Sequence, residues 1–304
     1  MDAAIADLEL VAAGHWRGTQ EERLGDWLLR AADGFTGRAN SALAVGDPGL
    51  PLQDALAAVT GWYRARGLPP MIAVPMPLGG EGSPPSRQDL DHFLAQRNWA
   101  TRPGPAFVMI AGAGAAPGPL SLPPGTTLRM DAEPDEAWLA MYHYRGWELP
   151  AIARTLLMSA PWQGFASIRD AAGRPLAIAR LSVGGGWAGI TAVEVSATRR
   201  RQGLGTMITR AVCEEAARPS PKRRRSGHGS AQQVFLQVET DNTAAQAMYE
   251  RCGFSYSHRY HYRMAPAALP DTSSPAINIC HRRLPLPRAA DGSRPYGRAG
   301  YPQC

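Results

Sequence analysis

Apolar and polar positions along this chain switch between two periods, and the changeovers mark its elements. From Trp187 to Val195 (WAGITAVEV) β-branched and apolar residues run together, which predicts a strand. Beyond it, apolar residues fall at Leu204, Met207, Ile208, Ala211 and Val212, the spacing of one helical face, and Pro219 predicts the end of that helix. Val234 to Val238 reads as a strand, and Tyr256 to Met264 as another. Between them lies a helix that Asp241 or Asn242 can start and Gly253 can close. Upstream, Phe165–Arg169 and Pro175–Val183 predict a hairpin across Asp170 to Gly173, and Gly184-Gly-Gly turns the chain into the Trp187 strand. Asp135 to Tyr144 and Ala151 to Met158 predict helices.

The first 120 or so residues give a weaker pattern. Trp27–Arg30 and Asn40–Leu43 suggest strands joined by Asp33-Gly-Phe-Thr-Gly37, and Leu52 to Arg66 is an amphipathic helix. A short strand near Met71–Val74, a loop from Gly79 to Ser86, a helix over Asp91–Arg97 and a strand over Ala106–Ala111 complete it. One internal similarity stands out. His92 to Trp99 followed by Phe107–Ile110 parallels Ala247 to Phe254 followed by Tyr262–Met264, with Leu94 in the place of Tyr249. The parallel suggests a second, degenerate copy of one fold; an unrelated α/β cap with coincidental spacing is the alternative.

The chemistry concentrates at two places. Arg200-Arg-Gln-Gly203-Leu-Gly205 joins a strand to a helix start, where glycines allow close approach of the backbone and unpaired N–H groups favour an anion. Arg200 either adds charge to that site or projects into solvent. A Gly-x-Gly dipeptide by itself also fits a plain tight turn. Thr206-Met207 after the second glycine excludes a P-loop, and the missing third glycine excludes a dinucleotide fingerprint. The second place is Asn242-Thr-Ala-Ala-Gln-Ala-Met-Tyr249, continuing to Gly253-Phe254.

Together, Arg-x-x-Gly-x-Gly after a strand and Asn-x-x-Ala-x-x-Met-Tyr-x-x-x-Gly-Phe resemble the GNAT superfamily of N-acetyltransferases, specifically over Phe165 to Met264 and more thinly back to Thr127. The resemblance implies an α/β (α+β) fold with a mixed, splayed central sheet flanked by helices, here preceded by a second, smaller α/β domain. It implies acetyl-CoA as co-substrate between two parallel central strands, with no metal. Main-chain groups of Val193 and Val195 would pair with the pantetheine arm. The amides of Gln202, Gly203, Leu204, Gly205 and Thr206 would hold the pyrophosphate. Asn242 would contact the cofactor, and Tyr249 would stand near the sulfur.

A thiolate whose conjugate acid has a pKa of about 8.5 needs only a nearby proton donor to leave, and the Tyr249 phenol suits that role. Tyr249 also shares a helical face with Ala245 and Met248, as a core aromatic would. The amine acceptor must lose a proton, for which Glu194 and Glu239 are candidates; either can equally be a solvated strand-end charge. Glu239 falls on the same strand face as Gln237, which stands where some relatives that modify protein N-termini carry a glutamate, and an amide cannot take a proton. His261, between Tyr260 and Tyr262, is a third candidate base or a structural side chain.

The length of 304 residues predicts two domains, 1–120 and an acetyltransferase domain over 127–265, followed by a disordered tail over 266–304; the net charge is +6. The basic excess sits in an insertion over 219–231 and in the tail. Lys222-Arg-Arg-Arg has no aromatic neighbour to stack on bases, so the insertion reads as a solvated disordered loop and nucleic acid is not the expected partner. The four cysteines show no paired or zinc-like spacing. No apolar run reaches the roughly 18 residues of a membrane span and the start lacks a signal-peptide pattern, so a cytoplasmic protein is expected. The sequence therefore points to an acetyltransferase acting on a primary amine of a small molecule. A protein N-terminus or lysine is the alternative acceptor, and a non-catalytic acyl-CoA sensor or scaffold the alternative class.

Overall fold

The computed structural model describes residues 3–79, 85–114, 121–142, 149–219 and 229–266. Most of the insertion and all but the first residue of the tail lie outside these, as do part of the Gly79–Ser86 loop and the last residues of the Asp135–Tyr144 helix.

The first half runs α1 (Ala3–His15), β1 (Gln20–Leu24), β2 (Trp27–Ala31), β3 (Ala42–Leu43), α2 (Leu52–Arg64), β4 (Met71–Pro77), α3 (Pro85–Ala95), β5 (Ala100–Thr101) and β6 (Ala106–Gly112). The second runs β7 (Thr127–Asp131), α4 (Glu136–Met141), α5 (Ile152–Leu157), β8 (Trp162–Arg169), β9 (Pro175–Gly184), β10 (Trp187–Val195), α6 (Leu204–Ala217), β11 (Gln233–Glu239), α7 (Thr243–Arg251) and β12 (Ser255–Met264). The elements expected from the pattern are present within a few residues of their expected ends, except that the helix expected over Asp91–Arg97 runs Pro85–Ala95 and takes in the end of the expected Gly79–Ser86 loop. Asp135 caps α4 by accepting the Trp138 N–H at 2.8 Å, and Gly253 follows α7 with φ +87°.

Besides the two-residue β5, three helix or strand segments carried no readable pattern. α1 turns Ile5, Leu8, Ala12 and Ala13 inward, but Leu10 and Val11 on its other side also pack on the core, so no polar face betrays the period. β1 (QEERL) is an exposed edge strand paired only with β2, and has no apolar alternation to read. β7 is likewise an edge strand with mostly exposed side chains.

The strands form one mixed sheet of order β1-β2-β3-β4-β12-β6-β11-β10-β9-β8-β7, with β5 added on β12. Strands from the two halves alternate at its centre. β6 of the first half lies between β11 and β12, while β12 of the second half lies between β6 and β4. A cut near residue 120 therefore falls within one sheet, and residues 1–266 form one compact unit.

Each half nevertheless repeats one plan. β3 and β4 are parallel neighbours, as are β10 and β11, with α2 and α6 as the respective crossovers. α3 leads to β6 as α7 leads to β12, so the two closing strands have traded places across the sheet centre. The parallel between residues 92–99 and 247–254 extends to the way the two helices end. Trp99 N–H donates to the Leu94 carbonyl at 3.0 Å, and Phe254 N–H to the Tyr249 carbonyl at 3.1 Å. Asn98 (φ +59°) and Gly253 (φ +87°) both take the left-handed conformation that such a helix exit requires.

Alternation along the strands divides the core into two layers. Leu236 and Ile190 face Ile208, Val212 and Ala216 of α6, whereas Phe235 and Val108 face Leu8, Ala12 and Ala13 of α1. Among the described residues, no helix is long and apolar enough to cross a membrane.

Candidate active site

The centre of the sheet opens where its parallel pair parts. β10 and β11 are paired only over Trp187–Ile190 and Gln233–Leu236, although the strands continue to Val195 and Glu239. A bulge between Thr191 and Glu194, with Ala192 at φ +54°, bends β10 away at the point where pairing stops. The parting leaves a cleft of about 950 Å³ between the two strands. Of the residues singled out in the sequence, Val193, Glu194, Val195, Arg200, Gly203, Leu204, Gly205, Thr206, Glu239, Asn242 and Tyr249 all line it. Gln202 is in the loop but outside the lining.

One end of the cleft is the start of α6. A 3-10 turn (Ala197–Arg199) leads to Arg200 in extended conformation, Arg201 at φ +62° and Gly203 at φ +80°. Gly203 occupies the N-cap position, and no side chain caps the helix. The first-turn N–H groups and the positive end of the helix dipole therefore face the opening, a physical arrangement suited to an anion. Gly205 answers a packing need, because a Cβ there would come within 2.7 Å of Met248 Sδ on α7.

α7, packed against that helix start, forms another wall. Asn242 caps it by accepting the Ala245 N–H at 3.1 Å, which leaves the amide nitrogen as its outward-facing group. Tyr249 is buried against Phe254, with ring centroids 5.9 Å apart. Burial raises its pKa well above the ordinary phenol value, and the nearby Cys252 and Glu194 push in the same direction. The hydroxyl therefore keeps its proton across the neutral and mildly alkaline range.

Glu194 and Glu239 are half-buried in the cleft from opposite strands. His261 is elsewhere: its Nε2 pairs with Asp91 Oδ1 at 2.7 Å, and Arg263 holds the same carboxylate at 2.7 Å and 2.8 Å. It is a structural side chain on β12. Among the described residues, no group of His, Cys, Asp and Glu could hold a metal ion.

A family model described as probable histone acetyltransferase Rv0428c C-terminal matches residues 2–263. The chain belongs to that family. Its match takes in both halves, well beyond the motifs between Phe165 and Met264. A Bacillus subtilis (strain 168) protein described as uncharacterized N-acetyltransferase YobR is 26% identical over 269 residues, covering 86% of this chain and 98% of that one. Among solved structures, a GCN5-related N-acetyltransferase from Kribbella flavida is similar with a TM-score of 0.62 at 18% identity, covering 86% and 96% of the two chains. A tandem GNAT protein from the clavulanic acid biosynthesis pathway is similar with a TM-score of 0.60 at 16% identity, covering 86% and 89%. The protein is an N-acetyltransferase of the GNAT fold.

Several cleft residues of this acetyltransferase carried no sequence signal. Arg38, from the loop before β3, reaches the cleft and donates from Nη1 to Gln237 Oε1 at 2.9 Å across 199 positions of sequence. Its guanidinium lies 4.8 Å from the Trp16 ring centroid. Tyr142, at the end of α4, and Thr191, at the bulge, complete that side. Behind them Arg180 is fully buried; it donates to the carbonyls of Leu157 (2.6 Å) and His15 (3.1 Å), the last residues of α5 and α1. Two negative helix ends thus sustain its charge, although burial, with a lesser effect of Arg38, lowers its pKa to about 9. No local motif marks any of these residues, because the chain brings them together only through the shared sheet.

Proposed function

We propose that this enzyme transfers the acetyl group of acetyl-CoA to a primary amine, and that the acceptor is a small molecule. The observation that carries the reading is the parted β10–β11 cleft, which has an uncapped helix N-terminus at one end and a buried, protonated phenol within it.

The main chain from Gly203 to Thr206 holds the diphosphate of the co-substrate, with Arg200 adding charge at the rim. The β11-facing edge of Val193 and Val195 runs along the pantetheine arm, and Asn242 contributes its amide nitrogen. The amine nitrogen attacks the thioester carbonyl carbon, the carbon–sulfur bond breaks, and Tyr249 delivers its proton to the departing sulfur. Glu194 or Glu239 takes the proton lost by the amine. Tyr249 is reprotonated from solvent, so the sum is amide plus free thiol.

The first half supplies a wall rather than a second site. In the position equivalent to the diphosphate loop, the Asp26 carboxylate accepts the Asp47 N–H at 2.8 Å, and the Asp47 carboxylate accepts the Gly49 N–H at 2.8 Å. Carboxylates take up these two loop amides, and Asp54 adds a third acidic side chain in the first turn of α2, so an anion there would meet negative charge. We therefore read residues 1–120 as a degenerate copy of the fold.

A protein lysine or N-terminus is the second acceptor class, favoured by the family's description as a probable histone acetyltransferase. Release of free coenzyme A, measured against a panel of small amines and lysine peptides, tests both. Turnover with small amines supports the first reading, turnover with peptides alone supports the second, and acetyl-CoA binding without release under any acceptor supports a non-catalytic sensor.

A further inference from the structure

Resting on the acetyl-transfer reading above, we propose that the acceptor is an amino acid-like amine, whose carboxylate is held by Arg38 together with the side-chain amide of Gln237.

Arg38 offers five N–H donors and no acceptor. Among the described residues its hydrogen-bond partner is the neutral Gln237, and no carboxylate pairs with it. Its position is fixed all the same: the Trp16 ring lies on one side, and Gly37 before it is pressed so closely on Tyr262 that a Cβ would come within 2.9 Å of that ring. Because a guanidinium can only donate, the Gln237 atom that meets it must be Oε1. The Gln237 NH₂ therefore points away from Arg38, and it too can only donate.

Arg38 of the first half and Gln237 of β11 thus present the cleft with a held, half-buried pair whose remaining groups are donors. Such a pair selects a ligand oxygen that accepts several hydrogen bonds, above all a carboxylate in bidentate contact with the guanidinium. The buried charge of Arg180 lies close enough to interact with Arg38 and adds to the field. Glu194 and Glu239 line the same cleft and favour the ammonium end of the same molecule. Opposite charges in one cleft fit a zwitterion.

The amide at position 237 acquires a reason. A glutamate there would pair with Arg38 at the observed 2.9 Å and neutralise the cation that the acceptor needs.

Matched pairs test this: glycine and glycinamide, β-alanine and β-alaninamide, L-lysine and L-lysinamide, L-phenylalanine and its amide. Coenzyme A release gives kcat/KM for each, and calorimetry with acetyl-CoA is run separately on every variant. In the wild-type enzyme at least one carboxylate should exceed its amide by tenfold or more. Arg38→Gln and Gln237→Glu should both erase the preference, while Arg38→Lys retains part of it. Ratios near one for every pair, no turnover of any carboxylate member, a preference that survives Arg38→Gln, or equal turnover of a lysine peptide blocked at both ends would each overturn the proposal. Failure of the wild-type protein to bind acetyl-CoA would instead overturn the reading of the cleft beneath it.

Discussion

Glu9 and His258 stand 249 positions apart and meet at 2.8 Å in the interior, one on the first helix and the other on the last strand. His258 is wholly buried and Glu9 nearly so. Removing one member of a buried, hydrogen-bonded pair strands the other. Glu9→Ala is therefore expected to cost about 3 kcal/mol in urea unfolding and to leave a single transition. A cost below about 1 kcal/mol would show that the pair does not join α1 to β12 in solution.

The interleaved centre of the sheet makes a stronger demand. Without β6, the facing edges of β11 and β12 lose a shared partner over most of their lengths, and unpaired strand edges associate with one another. A fragment of residues 121–266 is expected to aggregate or to lack a cooperative thermal transition. A soluble, monomeric fragment that binds acetyl-CoA would show that the second half folds alone.

Tyr249→Phe should lower kcat about a hundredfold while changing the acetyl-CoA dissociation constant by less than about threefold, since the hydroxyl serves the chemical step. The raised phenol pKa sets the pH profile. The active form is the protonated one, so activity should persist on the alkaline side through the ordinary phenol value of 10.0, for as long as the fold holds. Loss of kcat with a midpoint near 8 that disappears in the Phe variant would contradict this.

Asp91 anchors α3 to β12. Burial alone would raise its pKa, but hydrogen bonds from Arg263 and His261 hold it well below the ordinary value of 3.8. A depressed carboxyl stabilises the fold above that ordinary value and ceases to do so as pH falls beneath it. The wild-type protein should therefore lose stability on acidification below about pH 4 more steeply than Asp91→Asn, as read by urea midpoints. Parallel curves would contradict the assignment.

Much of this was legible in the chain. The strands from β8 to β11 are readable as apolar or β-branched runs set off by turn residues such as Asp170–Gly173 and Gly184–Gly186, β12 by alternating tyrosines, and α6 by one clean apolar face. Two short motifs and the strands beside them name eleven residues that line a single cleft. The strand exchange was not legible, since β6 and β12 have the same local composition whichever partner they take. Arg38 was hidden for the same reason: its loop says nothing about a strand 199 positions away. The choice between the two readings of His261 was not legible, because the partner that makes it structural, Asp91, lies on a helix of the other half.

Gly203 gives a direct handle on the cleft. At φ +80°, Gly203→Ala introduces about 1 kcal/mol of backbone strain and displaces the first-turn amides, so acetyl-CoA affinity should fall at least tenfold. The most direct measurement is calorimetric titration of the intact chain with acetyl-CoA, with this variant alongside. One molecule should bind per chain, and more weakly in the variant; no heat of binding, or two molecules per chain, would contradict a single diphosphate-gripping cleft.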